Sequence, residues 1–156
     1  MLKLFLFLAV LAPLPALADD SAVLAEYWTD SGSLPPEYAW ETSVTILEDG
    51  HLTLKHCKGY ETDGPACKTR RAKVSTEALA AIRTAATDSG LVETPARETD
   101  MPMVGGGLTS GAVYIDGKKI VLLSQPVEED AARVGKVLSA IAAAIPQRFD
   151  RFTDPD

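Results

Sequence analysis

Residues 44–54 read VTILEDGHLTL and residues 113–122 read VYIDGKKIVL. In both, apolar residues recur at every second position on either side of an Asp-Gly pair, the pattern of a β-hairpin. In the second stretch, a two-residue turn at Asp116-Gly117 puts Val113, Ile115, Ile120 and Leu122 on one face, the register of a type I′ turn. The first stretch needs a different connection. A two-residue turn would put Val44 and Ile46 on the face opposite to Leu52 and Leu54. A three-residue connection, Glu48-Asp49-Gly50, with glycine in the left-handed region and a bulge, brings all four together. The two hairpins should therefore differ in register.

Each hairpin precedes a helical pattern. Ser75 is a good N-cap, Glu77 complements the positive helix start, and Val74 with Leu79 forms a hydrophobic staple. Leu79, Ile82 and Ala86 make the buried stripe, and Gly90 stops the helix with Leu91 folding back. The second helix starts near Pro126, with Glu128, Glu129 and Asp130 in its first turn. Val127, Ala131, Val134, Leu138, Ile141 and Ile145 repeat at helical spacing until Pro146. Neither a one-faced hairpin nor a one-striped helix can bury itself alone. The sequence therefore predicts an α+β fold in two layers, ββαββα, with an antiparallel sheet and both helices on one face. Lys68 to Val74 leads straight into the first helix and reads as an extra strand. Residues 34–146 form the single α+β domain, residues 19–33 an N-terminal arm or short helix ended by Pro35-Pro36, and residues 147–156 a polar tail anchored by Phe149 and Phe152.

Residues 1–18, MLKLFLFLAVLAPLPALA, read as a signal peptide: Lys3, a short apolar run, two prolines, then a small-x-small cleavage pattern. The run is too short to span a ~30 Å hydrocarbon core as a helix, and no later segment reads as a membrane span. Cleavage leaves 14 basic against 22 acidic residues, a formal −8. That balance argues against nucleic acid as a partner. Lys55, Lys58, Lys68, Arg70, Arg71 and Lys73 nonetheless cluster against only Glu61 and Asp63. They form either a patch for an anionic partner or a basic hairpin compensated in three dimensions. Cys57 and Cys67 are the only cysteines, and in an oxidising compartment such a pair forms a disulfide. Sharing a metal with His51 and His56 is disfavoured, because residues five apart on a strand point to opposite faces. No metal or other cofactor is expected.

Between Leu91 and Ser110 lie 18 residues without period, VETPARETDMPMVGGGLT. Loops of this length are uncommon unless they serve a function. Met101 and Met103 offer an adaptable apolar contact, and Gly105, Gly106 and Gly107 allow close backbone approach, so 92–109 is a candidate binding loop. The competing reading is a passive crossover along a sheet edge. Ser110 could serve as a nucleophile with His51 or His56, and Glu98 and Asp100 as acid and base. However, neither GxSxG nor HExxH is present, and no catalytic residue is assigned.

Leu34-Pro35-Pro36-Glu37-Tyr38, the strand entering Asp49-Gly50, Gly59-Tyr60, Val104-Gly105-Gly106-Gly107 and the helix ending Ala144-Ile145-Pro146 together resemble an uncharacterised family of small exported bacterial proteins. The resemblance covers roughly residues 34–150. It implies a periplasmic or secreted envelope protein with a small α+β domain, and it transfers no catalytic residue. The Cys57–Cys67 loop does not match that pattern. The leading expectation is a non-enzymatic binding or accessory module whose partner is an envelope protein or a small ligand. The alternatives are an inhibitor of a cationic secreted enzyme such as lysozyme, toward which a −8 protein would be steered, and a small hydrolase using the 92–109 loop.

Overall fold

The computed structural model describes residues 22–102 and 105–150. Residues 1–18, which read as a signal peptide, Met103 and residues 151–156 of the tail lie outside the described residues. Six strands form one antiparallel sheet: β1 (Val23–Asp30), β2 (Trp40–Leu47), β3 (His51–Lys58), β4 (Cys67–Lys73), β5 (Thr109–Ile115) and β6 (Lys118–Leu122). Their spatial order is β4-β3-β2-β1-β5-β6. Helix α1 (Thr76–Asp88) follows β4, and helix α2 (Glu128–Ala144) follows β6.

The fold is α+β, but its order is four strands, a helix, two strands, a helix, rather than ββαββα. The source of the difference is β1. Residues 23–30 are neither a helix nor an arm: they form a strand between β2 and β5. The compact unit therefore includes residues N-terminal to Leu34. The register of β1 shifts between Val23 and Ala25, a bulge that leaves the adjacent Leu24 and Ala25 both fully buried. A bulge of this kind breaks the alternation by which a strand is recognised.

Both hairpin registers are as expected. Val44 lies opposite Leu54 and Ile46 opposite Leu52, with three residues between the strands and Gly50 at φ +89°. Val113 lies opposite Ile120 across a two-residue turn, with Asp116 at φ +49° and Gly117 at φ +74°. Ser75 caps α1, its Oγ accepting from the Ala78 N–H at 3.2 Å. The buried face of α2 is rotated from the expected stripe: Asp130, Val134, Val137, Ile141 and Ala144 are buried, Leu138 and Ile145 are partly buried, and Ala131 is exposed. The rotation brings the Asp130 carboxylate inward, where it accepts from the Arg97 N–H at 2.8 Å and from Arg133 Nε at 3.0 Å. These donors hold the Asp130 carboxyl below its ordinary pKa, the Arg97 N–H contributing most.

A single core joins Val44, Ile46, Leu52, Leu54, Val113 and Ile120 of the sheet to Ile82, Val134 and Ile141 of the helices. Alternation sends Glu26, Trp28, Ser43, Lys55, Ala112 and Val121 to the opposite face, where Val121 is half exposed. No helix among the described residues is long and apolar enough to cross a membrane.

Candidate functional site

The roof over the sheet stops where α2 stops. Pro146 cannot continue a helix, and the chain turns into a short 3₁₀ segment, Gln147–Phe149, with Phe149 buried. Beyond this point the strands continue. Trp40 and Thr42 of β2 lie on the same face as Val44 and Ile46, and His56 and Lys58 of β3 on the same face as Leu52 and Leu54. A cleft of about 500 Å³ results. Its floor is Tyr27, Thr29, Trp40, Thr42 and Leu54, and its wall is Ala142, Ala143, Ile145 and Phe149, with Gln147 and Asp150 also lining it. On the far side of Trp40 a second lobe of about 360 Å³ is lined by Leu34, Glu37, Tyr38, Ala39, His56 and Lys58. Trp40 is shared by the two lobes.

Local bonding holds Trp40 in place. Its N–H donates to Ser31 Oγ at 3.0 Å, and its carbonyl accepts from the Ser31 N–H at 3.0 Å. The Gly59 N–H donates to the Ala39 carbonyl at 2.8 Å, and the Tyr60 hydroxyl donates to the Leu34 carbonyl. The proline-containing segment before β2 is thereby strapped to the end of β3. His56 is 3% exposed. Its Nδ1 lies 2.8 Å from Thr42 Oγ1, and its ring centroid lies 6.0 Å from that of Trp40. Burial, aided by the charges of Lys58 and Lys68, pushes the imidazole below its ordinary pKa and keeps it neutral.

Cys57 and Cys67 form a disulfide across the terminal β3–β4 rung, with Cα atoms 4.0 Å apart. The basic cluster is split by strand alternation. Lys55, Arg71 and Lys73 belong to the face opposite the helices, where Lys55 pairs with Asp63 at 3.9 Å. Lys58, Lys68 and Arg70 belong to the cleft side. The histidines also separate: His51 sits at the β2–β3 turn, its Nδ1 2.6 Å from Asp49 Oδ2, on the face opposite to His56. Ser110 pairs with Trp28 on the face away from the helices, so it meets neither the buried His56 nor His51, three strands away along the sheet. Glu98 and Asp100 are exposed.

The 92–109 loop is tied down at both described ends. The Val127 N–H donates to the Arg97 carbonyl and the Thr99 N–H to the Gln125 carbonyl, at 2.9 and 3.0 Å, while Asp130 holds the Arg97 N–H. At the other end, a Cβ on Gly107 would collide with the Asp30 carbonyl, and one on Gly32 with the Gly106 carbonyl. These glycines permit two backbones to touch. Gly105 and Gly106 have positive φ, and Gly105 and Gly107 line a hollow of about 380 Å³ with Leu138 and Pro126. Met101 is 84% exposed. Of the two concavities, the Trp40 cleft has what ligand sites generally have: an aromatic and apolar lining with a few converging polar groups. Sequence reasoning missed Tyr27, Trp40 and Thr42. The available signal was the run of alternate positions 40, 42, 44 and 46, which continues one strand face past the apolar core.

No protein-family model matches this chain, and no curated protein sequence matches it.

Proposed function

We propose that the protein is a non-enzymatic binding module exported to the bacterial envelope, and that its ligand is a small molecule with an apolar body held in the Trp40 cleft. The observation that carries this reading is the two-lobed, aromatic-lined cleft at the unroofed end of the sheet, whose larger lobe of about 500 Å³ is in the range of small-molecule sites. The leader-like first 18 residues and the Cys57–Cys67 bridge support an oxidising destination. The kinship to small exported bacterial proteins belongs to the same proposal. The exposed Met101 loop is the rival surface.

The test uses Trp40 fluorescence in a Trp28→Phe background, since Trp28 lies on the other face. Titration with octanol should give a saturable change. Ala142→Phe, which fills the cleft, should abolish it, and Met101→Ser should leave it intact. A response that never saturates and persists in the filled variant would refute the cleft as the site.

A further inference from the structure

We infer that the ligand is a free apolar carboxylate, its hydrocarbon body against Trp40 and its anionic head between Lys58 and Lys68; this rests on the cleft reading above. Strand register carries the argument. Lys58 lies opposite Trp40, and Lys68 lies opposite His56, so both lysines rise on the cleft face. Each lysine directly follows a cysteine of the Cys57–Cys67 bridge, which fixes the rung between their strands. The Lys58 N–H donates to the Ala66 carbonyl at 3.1 Å, so Lys68 stands two residues further along the partner strand. That diagonal relation places the two backbones roughly 7–8 Å apart, and two long flexible stems from such positions can meet on one small anion.

Both lysines are exposed, and among the described residues neither has a carboxylate within ion-pair distance. Lys55, Arg83, Arg97, Lys119, Arg133 and Lys136 have one, while Arg71, Lys73 and Lys118 share the condition of the two lysines but lie away from the cleft, so the common cleft face is what sets Lys58 and Lys68 apart. Glu37 and Lys58 line the same lobe, and Lys68 stands beside it on the neighbouring strand, opposite His56, so one carboxylate faces two ammonium groups. Like charges held at neighbouring positions repel, and a bound monoanion relieves that repulsion. The positive field reaches into the lobe, since both lysines help keep the buried His56 neutral. The next surface inward is apolar and aromatic: Trp40, Tyr27, Leu54 and Phe149. A head that is charged and a body that is not satisfy both halves of the site.

The experiment compares octanoate with octanol, of matched length, on the oxidised full chain carrying Trp28→Phe. Octanoate should bind about tenfold more tightly, the gain expected of one charge-assisted contact. Lys58→Gln/Lys68→Gln should bring the ratio to about one, chiefly by weakening octanoate. Lys55→Gln/Arg71→Gln, the same loss of charge on the opposite face, should keep the tenfold preference. Equal binding of the two probes to the parent would overturn the carboxylate inference and leave the cleft reading standing. So would a preference that survives Lys58→Gln/Lys68→Gln, or one lost equally in the opposite-face variant. Binding of neither probe would overturn both.

Discussion

The two ends of one sheet face have been put to different uses. At one end Val44, Ile46, Leu52 and Val113 lie under Ile82, Val134 and Ile141, and all seven are at most 1% exposed. At the other end the same strands β2 and β3 present Trp40, Thr42, His56 and Lys58 to a cleft. Strand geometry does not differ between them; the roof does. The helix layer ends at Pro146, and from there onward the sheet face no longer needs to be uniformly apolar. The closed end supplies cohesion and the open end supplies recognition. The disulfide belongs to the open end, where helix packing does not hold the strands together.

That division is most sharply tested by truncating matched side chains at the two ends. Ile141→Ala, at a site with no exposure, should destabilise the protein by about 4 kcal/mol in urea denaturation. Trp40→Ala removes a larger side chain but one that is only partly buried, and should cost about half as much. If the tryptophan change proved the more damaging, the open end would be core, and the proposed site would be a packing feature.

The second test removes the staple. Cys57→Ser/Cys67→Ser opens a loop whose ends are 10 residues apart, and loop-closure entropy sets the cost at roughly 3 kcal/mol. The variant should still fold at room temperature, because the apolar end is untouched. Hydrogen exchange should quicken at Lys58 and Cys67, whose N–H groups donate to the Ala66 and Gly64 carbonyls, well before it quickens at Leu52. Uniform acceleration across the sheet would mean that the two ends are one cooperative unit.

The same contrast separates what is legible in the sequence from what is not. The turns at Asp49-Gly50 and Asp116-Gly117 were legible because positive φ is a local demand met by few residues. The disulfide was legible because only two cysteines exist. Strand β1 was hidden because its bulge at Leu24 breaks the alternation and because its partner β5 lies about eighty positions away, as in the Thr29–Thr109 pair. The cleft was hidden because Tyr27, Trp40 and Phe149 come from three separate segments, and nothing in any one of them announces a cavity. The basic cluster was visible as a count. Its division into Lys55 and Arg71 on one face and Lys58 and Lys68 on the other required the β3–β4 register.

The smallest expected effect concerns His56 at the boundary between the two ends. Its native pKa lies below the ordinary value of 6.5. The unfolded chain therefore binds the proton first as pH falls, and stability conferred by the neutral ring is complete above about pH 6.5 and declines below it, until the native ring protonates too. Burial is the leading cause and the charges of Lys58 and Lys68 the lesser ones. Lys58→Gln/Lys68→Gln should then raise the native His56 pKa, read from its ring proton shifts. The acid-side loss of stability should become shallower by only a few tenths of a kcal/mol, since exposed charges are screened by solvent. An unmoved His56 pKa would show that the two ammonium groups point away from the lobe. The paired-lysine site would then lose its electrostatic support even if the cleft still bound apolar molecules.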